Sequence, residues 1–444
     1  MTAGTRAGWV AGLAALSLAM AAPAAGAAAR FASPGGSGTE CVQANPCDIV
    51  TAVNGASKGD DVTIGPGAYG VPAPLSTELE DGGEPISIHG QAGQPRPVIH
   101  TQAEYGVEIL APGSSLSDVD IENAVGHYGV YVNENLAANV DHVVSHVSAA
   151  GAIACYPSGT LTDSVCWSSG PNGIAETVLV ATSVTATLRN DTMIASGAGG
   201  TAVAVNSSTS STMTINLVNS IARGAGTDIF ASTDSAPKTA AIVNADHSNY
   251  ATVQVSNGGG GSTISVTPAG SGTNQQGAPS FVNAAAGDFR ELAGSTSTID
   301  RGENSDLDGA TDLDGNPRAL PGQLTCGPQA AAVTDIGAYE LVPVAPPCTP
   351  RITRVRITRA RVGRGGSARF AFKGVGTEIG FECRLQKISS KRHGMRKAGF
   401  SPCRSPKAYR HLKPGRYRFE VRALAASGSH SAPAVKKVTI RPPR

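Results

Sequence analysis

Short stretches of alternating apolar and polar residues recur over the first 250 or so positions, each interrupted by a glycine or a polar bend. One set reads Tyr105-Gly106-Val107-Glu108-Ile109, Gly129-Val130-Tyr131-Val132, Gly151-Ala152-Ile153-Ala154, Gly173-Ile174-Ala175, Gly200 to Val205 and Gly226 to Phe230. Its glycines stand 23, 22, 22, 27 and 26 residues apart. A second set keeps the same pace: Leu116-Ser117-Asp118-Val119, Val140-Asp141-His142-Val143, Leu161-Thr162-Asp163-Ser164, Leu188-Arg189-Asn190-Asp191 and Leu217-Val218-Asn219-Ser220. Here the spacings are 24, 21, 27 and 29. Two interleaved columns with one shared period predict a solenoid. Each copy holds only short strands and turns, so each turn of chain stacks on the last with strands ~4.8 Å apart. One turn cannot bury its own apolar face, and stacking supplies the core. The glycines are expected to provide left-handed backbone at the corners.

These repeats resemble the right-handed parallel β-helix family, the pectate-lyase-like superfold, over roughly residues 40–250. The opening Cys47-Asp48-Ile49-Val50, Gly59-Asp60-Asp61-Val62-Thr63-Ile64 and Gly65-Pro66-Gly67-Ala68-Tyr69 is similar to that family's entry to the first turn. Asp288-Phe289-Arg290-Glu291-Leu292, Ile299-Asp300-Arg301-Gly302, Asp312-Leu313-Asp314-Gly315-Asn316-Pro317-Arg318 and Asp335-Ile336-Gly337-Ala338-Tyr339-Glu340 follow in order. They resemble the choice-of-anchor Q segment that closes many secreted bacterial β-helices, over 270–342, though no sorting motif or final apolar span follows here. Beyond it, Phe381-Glu382-Cys383-Arg384-Leu385, Cys403-Arg404-Ser405-Pro406 and Tyr409 to Tyr417 resemble a bacterial Ig-like or fibronectin-like sandwich. The expected organisation is a signal peptide at 1–27, a β-helix with its closing segment at 28–342, a Pro-rich linker at 343–350 and a basic Ig-like domain at 351–444. The fold class is all-β.

Composition agrees. Gly is 54 and Pro 28 of 444 residues, while 5% of residues are aromatic and 16% charged, which argues against coiled coils and helical bundles. Arg6, the apolar run Trp9 to Ala22 and the small residues Ala25-Gly26-Ala27 read as an export signal, the alternative being a retained N-terminal anchor. Eight cysteines behind such a signal predict disulfides in a secreted or envelope-associated protein. Neighbour pairing gives Cys41–Cys47, Cys155–Cys166, Cys326–Cys348 and Cys383–Cys403, one of many possible sets. The net charge of +1 hides a split: residues 1–347 carry −21 and residues 348–444 carry +22.

Four groups carry candidate chemistry. Asp118, His142 and Asp163 fall on neighbouring turns of one column and suit acid/base work or a Ca²⁺ site; Asn190 and Asn219 in the same column favour a plainer ladder of hydrogen-bonded corner residues. A wider acidic face, with Asp120, Glu122, His127, Glu134, Asp141 and His146, offers carboxylate pairs of the kind glycosidases use, or a solvated surface. Resemblance to the lyases implies a cationic clamp and a basic proton acceptor, for which Arg189 is the residue to test. Residues 100–250 are strongly acidic, and the Asn-Thr-Asp, Asp-Asp, Gly-His-Gly and Arg-Ile-Lys runs of polygalacturonases are missing. Tyr105, Tyr128, Tyr131, Tyr156 and Trp167 can stack on sugar rings or pack a core. Asp306, Asp308, Asp312 and Asp314 have the DxDG spacing of a Ca²⁺ loop but lack its final bidentate Glu, and paired Asp-Gly turns explain them as well. Arg354, Arg356, Arg359 and Arg361, with Lys391, Arg392, Arg396 and Lys397, predict an anionic surface as partner. Export disfavours nucleic acid, and a monomer is expected. No cofactor is required, Ca²⁺ being the one that the acidic residues suit.

The function expected is non-catalytic binding of a polysaccharide or surface glycan, with the basic module as a tether to anionic envelope polymers. The alternatives are a polysaccharide lyase or glycoside hydrolase, and a structural or adhesive surface protein.

Overall fold

The computed structural model describes residues 27–70, 79–133, 136–180, 183–321, 332–342, 354–363, 366–375, 380–388, 399–424 and 430–442. The signal-peptide reading over 1–26, the linker at 343–350 and the Cys326–Cys348 pairing lie outside the described residues.

Residues 29–266 wind into a parallel β-solenoid with three sheets. A ten-stranded sheet runs from Ala29–Ala32 to Thr263–Val266, an eight-stranded sheet from Leu79–Glu80 to Val253–Asn257, and a seven-stranded sheet from Ala68–Gly70 to Ile221–Gly224. Every neighbouring pair is parallel and in register. Val62, Ile88, Leu116, Val140, Leu161, Leu188 and Leu217 form one inward column of the ten-stranded sheet. All seven are buried. This column explains why an apolar residue opens each copy of the second sequence set: it is the last inward residue before the bend.

The bends reverse the expected roles of glycine and polar residues. Asp118, His142, Asp163, Asn190 and Asn219 join the ten- and seven-stranded sheets with φ of 55°, 54°, 50°, 59° and 49°. His247, at 44°, continues the series. Asn and Asp tolerate this left-handed region better than other non-glycine residues. The periodic glycines mostly have ordinary backbone. Gly106 and Gly129 lie within strands, where a Cβ would fall 2.4 Å from the Gly129 carbonyl oxygen and 2.0 Å from Ser145 Oγ, respectively. Their partners on later turns are Ala154, Ala175 and Ala202, so the requirement is a small residue rather than glycine. Gly173, Gly200 and Gly226 hold a different column, and Gly151 is equivalent to neither. The glycine period thus follows the turn length without marking one place.

The N-terminal end of the solenoid is covered. Ile49–Asn54 forms a short helix whose N-cap Asp48 accepts from the Thr51 amide, and Ile49, Ala52 and Val53 enter the solenoid core. The Cys41–Cys47 loop bonds along the outer edge of the first strand.

The closing segment does not lie across the other end. It folds back along the outer face of the seven-stranded sheet. Phe289, Leu313, Ile336, Ala338 and Tyr339 pack on Val165, Ile194 and Ile221 to make a second core outside the solenoid wall. The alternation of this sheet is therefore apolar on both faces where the segment covers it.

The C-terminal residues form two antiparallel sheets of three and four strands, with Val355, Phe370, Phe372, Phe419 and Val421 between them. Cys383–Cys403 joins adjacent strands of the four-stranded sheet. Cys155–Cys166 spans the solenoid interior.

Candidate functional site

The bend column carries the predicted chemistry, and the closing segment divides it into two parts. On the later turns the column is sealed. Arg318 enters with its guanidinium 3% exposed, donating from Nε to Asp163 Oδ1 at 2.7 Å and from Nη1 to the Gly337 carbonyl at 2.8 Å. Glu340 faces the same guanidinium at 3.3 Å. Burial lifts the Asp163 carboxyl to about 6 and Glu340 to about 9, with Arg318 pulling both the other way. Arg189 pairs with Asp308 at 2.8 Å. Asn219 donates to Asn190 Oδ1 and to the Glu303 carbonyl. Asp163 and Arg189, both read from the sequence as candidates, are thus each ion-paired to the closing segment.

On the earlier turns the column opens into a cleft of about 730 Å³ between residues 93–96 and 311–315. Asp118, Asp120, Asp141 and His142 form its floor, and Asp314 stands on its rim. Arg96 bridges the walls, donating to Asp120 at 2.7 Å and to the Leu313 carbonyl at 2.6 Å. His142 Nδ1 lies 2.9 Å from Asp141 Oδ1, and Nε2 faces Thr311 Oγ1 at 3.3 Å. Burial works against the imidazolium, but the Asp141 hydrogen bond and the fields of Asp141, Asp163 and Asp118 prevail and raise its pKa. Burial also raises Asp120, against the pull of Arg96. Asp118, Asp120, Asp141 and Asp314 outnumber Arg96 in the cleft lining, so the surface is acidic, suited to hydroxyl-rich or cationic ligands and repulsive to polyuronates.

Asp141, His142 and Asp163 hold potential ligand atoms within 4.8 Å of one another. A hard cation there would have to displace Arg318 from Asp163, so these residues fit a metal poorly. The DxDG carboxylates do not converge. Asp308 binds Arg189 and the Ser305 amide. Asp312 accepts from the amides of Asp314, Asn316 and Glu340 and from the Asn316 side chain. Asp314 pairs with Arg290, and Asp306 is exposed. These are turn-forming carboxylates of the closing segment.

The aromatic candidates separate into two groups. Trp167 stacks on His146 with ring centroids 3.7 Å apart, donates to Ser196 and lies beneath Gly287 and Phe289, so it is packing for the closing segment. Tyr128 and Tyr131, joined by Tyr105, form a contiguous cluster on the outer face of the eight-stranded sheet. The centroids are 5.1 Å apart for Tyr105–Tyr128, 4.8 Å for Tyr105–Tyr131 and 5.1 Å for Tyr128–Tyr131. All three are partly exposed, whereas Tyr156 at their edge is buried. Tyr105, which pairs in register with Tyr128, belongs to the aromatic set read from the sequence.

No family model matches the chain, and no curated protein matches it. A solved structure is similar. It is the crystal structure of pectate lyase Pel9A, at 12% sequence identity and a TM-score of 0.39, with 71% of this chain and 96% of that one covered. The solenoid itself rests on the strand pairing described above.

In the C-terminal sandwich, Arg356, Arg359, Arg361, Arg369 and Lys373 are exposed on the three-stranded sheet, and Arg359, Arg361 and Arg369 line a hollow of about 230 Å³ with Ala371 and Pro406. Among the described residues these five cations have no acidic partner. The described acids, Glu382 and Glu420, are taken by Arg384, Arg418, Arg422 and His430 on the other sheet. Arg354 shares the first strand of the basic sheet. Lys391, Arg392, Arg396 and Lys397 lie outside the described residues.

Proposed function

We propose that the chain is a binding protein of the cell exterior or envelope, not an enzyme. The solenoid holds a polysaccharide or surface glycan on the eight-stranded sheet, and the basic sandwich tethers the chain to anionic envelope polymers. The observation that carries this reading is the Tyr105, Tyr128 and Tyr131 cluster, partly exposed on adjacent turns. Aromatic faces of this kind accept sugar rings, and a solenoid presents them in a row along a polymer. Three disulfides suit an oxidising compartment. Among the described residues no helix is long and apolar enough to cross a membrane.

Migration of the purified chain through gels cast with a panel of neutral and acidic polysaccharides tests the reading. At least one polysaccharide is expected to retard the chain, and Tyr128→Ala is expected to abolish the retardation while the chain stays folded by circular dichroism. Equal mobility in every gel would refute it.

The acidic cleft favours a second reading, hydrolysis or elimination on a glycan, with His142 and Asp120 as the groups whose pKa values stand apart from their usual range. The sealing of Asp163 and Arg189 by the closing segment argues for binding.

A further inference from the structure

The two ends of the solenoid are unlike. The first turn is covered by the Ile49–Asn54 helix and the Cys41–Cys47 loop. Among the described residues nothing covers the last turn. Val253–Asn257 pairs only with Thr227–Thr233, and Thr263–Val266 only with Ala240–Asp246, so each presents an open edge. Between these edges Val253, Val255, Ile264, Val266, Pro268 and Ala269 line an apolar hollow of about 540 Å³. Val255 occupies the inward column of Ala231, which is fully buried, yet is itself 58% exposed. An open strand edge usually carries charges that prevent pairing. This end carries none: no Asp, Glu, Lys, Arg or His lies between His247 and Asp288.

We propose that this end is an interface between two copies of the chain, which join end to end through their last turns. Three observations select a second copy as occupant. The last turn itself carries no charged side chain, with Asp246 on the strand beneath it the nearby exposed carboxylate, so its own copy meets it with little repulsion. A second copy brings a cross-section of the same outline, with strand edges opposite strand edges and apolar interior opposite apolar interior. The covered first turn blocks head-to-tail stacking, so association closes at a dimer instead of running on to a filament. This replaces the monomer expected from the sequence and does not depend on the glycan reading.

Sedimentation or light scattering over a concentration series tests the proposal. The wild-type chain is expected to approach twice the chain mass as concentration rises, in low and high salt alike, because the contact is apolar. Val255→Lys buries an unpaired charge in the interface and is expected to weaken association on the order of 100-fold. Thr263→Lys, an exposed position on the other open edge, is expected to act in the same direction and serves if Val255→Lys folds poorly by circular dichroism. A wild-type chain that stays monomeric throughout would overturn the proposal. So would a dimer that dissolves in high salt, or one that both folded lysine variants leave intact.

Discussion

Arg318 is the residue on which the closing segment depends. Its guanidinium serves Asp163 from the bend column, and Glu340 and Gly337 from the segment itself, all out of water. Removing one member of such a buried group leaves the others unpaired, at a cost of about 3–5 kcal/mol. Arg318→Leu is expected to lose that much stability in urea titration. Glu176 predicts the opposite sign. It stands fully buried between Cys155 and Val203 in an inward column, with both carboxyl oxygens lacking a hydrogen-bond partner. Burial raises its pKa well above the usual range, which favours the neutral acid. Glu176→Val fills the site with the side chain of its neighbour and is expected to stabilise the fold by about 1–3 kcal/mol. The ionisable groups also set a pH dependence. Asp163 and Asp335 sit near 6 and Glu291 near 8 in the folded chain, and His142 is raised as well. Each therefore binds protons in the folded state over a range where the unfolded chain has released them. Their contribution is present in full below the unfolded values and is lost as pH rises through the folded ones. Asp141 and Glu420 are shifted down, and their contribution is already complete above about pH 5. Urea midpoints are expected to fall from about pH 5 to about pH 8; a rise over that range would contradict these assignments.

At the scale of the element, the bend between the ten- and seven-stranded sheets is the unit that repeats. Its first residue is left-handed on every turn from Asp118 to His247. Asp118 is the exposed example, so substitution there reports backbone preference with little change in packing, beside the loss of one cleft carboxylate. Asp118→Val is expected to cost about 1–2 kcal/mol and Asp118→Gly close to nothing, measured by urea unfolding. The period, the strand content and the inward leucines of this bend were legible because each turn must place an apolar residue and then a polar residue at fixed distance from the corner. The glycine column was misleading for a physical reason. Close approach between Gly129 and Ser145 needs only a missing side chain, and alanine meets the same need on later turns. The place of the closing segment in the fold was not legible in the sequence. Its packing on Val165, Ile194 and Ile221 joins residues far apart in the chain, and no local pattern encodes that pairing. For the same reason the ion pairs of Arg189 with Asp308 and of Asp163 with Arg318 could not be read locally: the partners lie far along the chain.

The whole molecule separates its charges. The acidic part buries many of its carboxyls or folds them into turns, while the basic sheet leaves five cations unpartnered among the described residues. Exposed charges of this kind bind polyanions through ion release and are screened at high ionic strength. Retention of the chain on anionic envelope polymers is expected at low salt and lost at high salt, with Arg359→Ser/Arg361→Ser eluting earlier than wild type. The account as a whole claims recognition of a glycan without turnover. Prolonged incubation with a neutral and uronate polysaccharide panel, with and without Ca²⁺, tests that claim most directly when reducing ends and unsaturated products are measured beside gel retardation. The account predicts retardation by at least one polysaccharide and no product from any. New reducing ends or unsaturated sugars, absent in the His142→Ala chain, would contradict it.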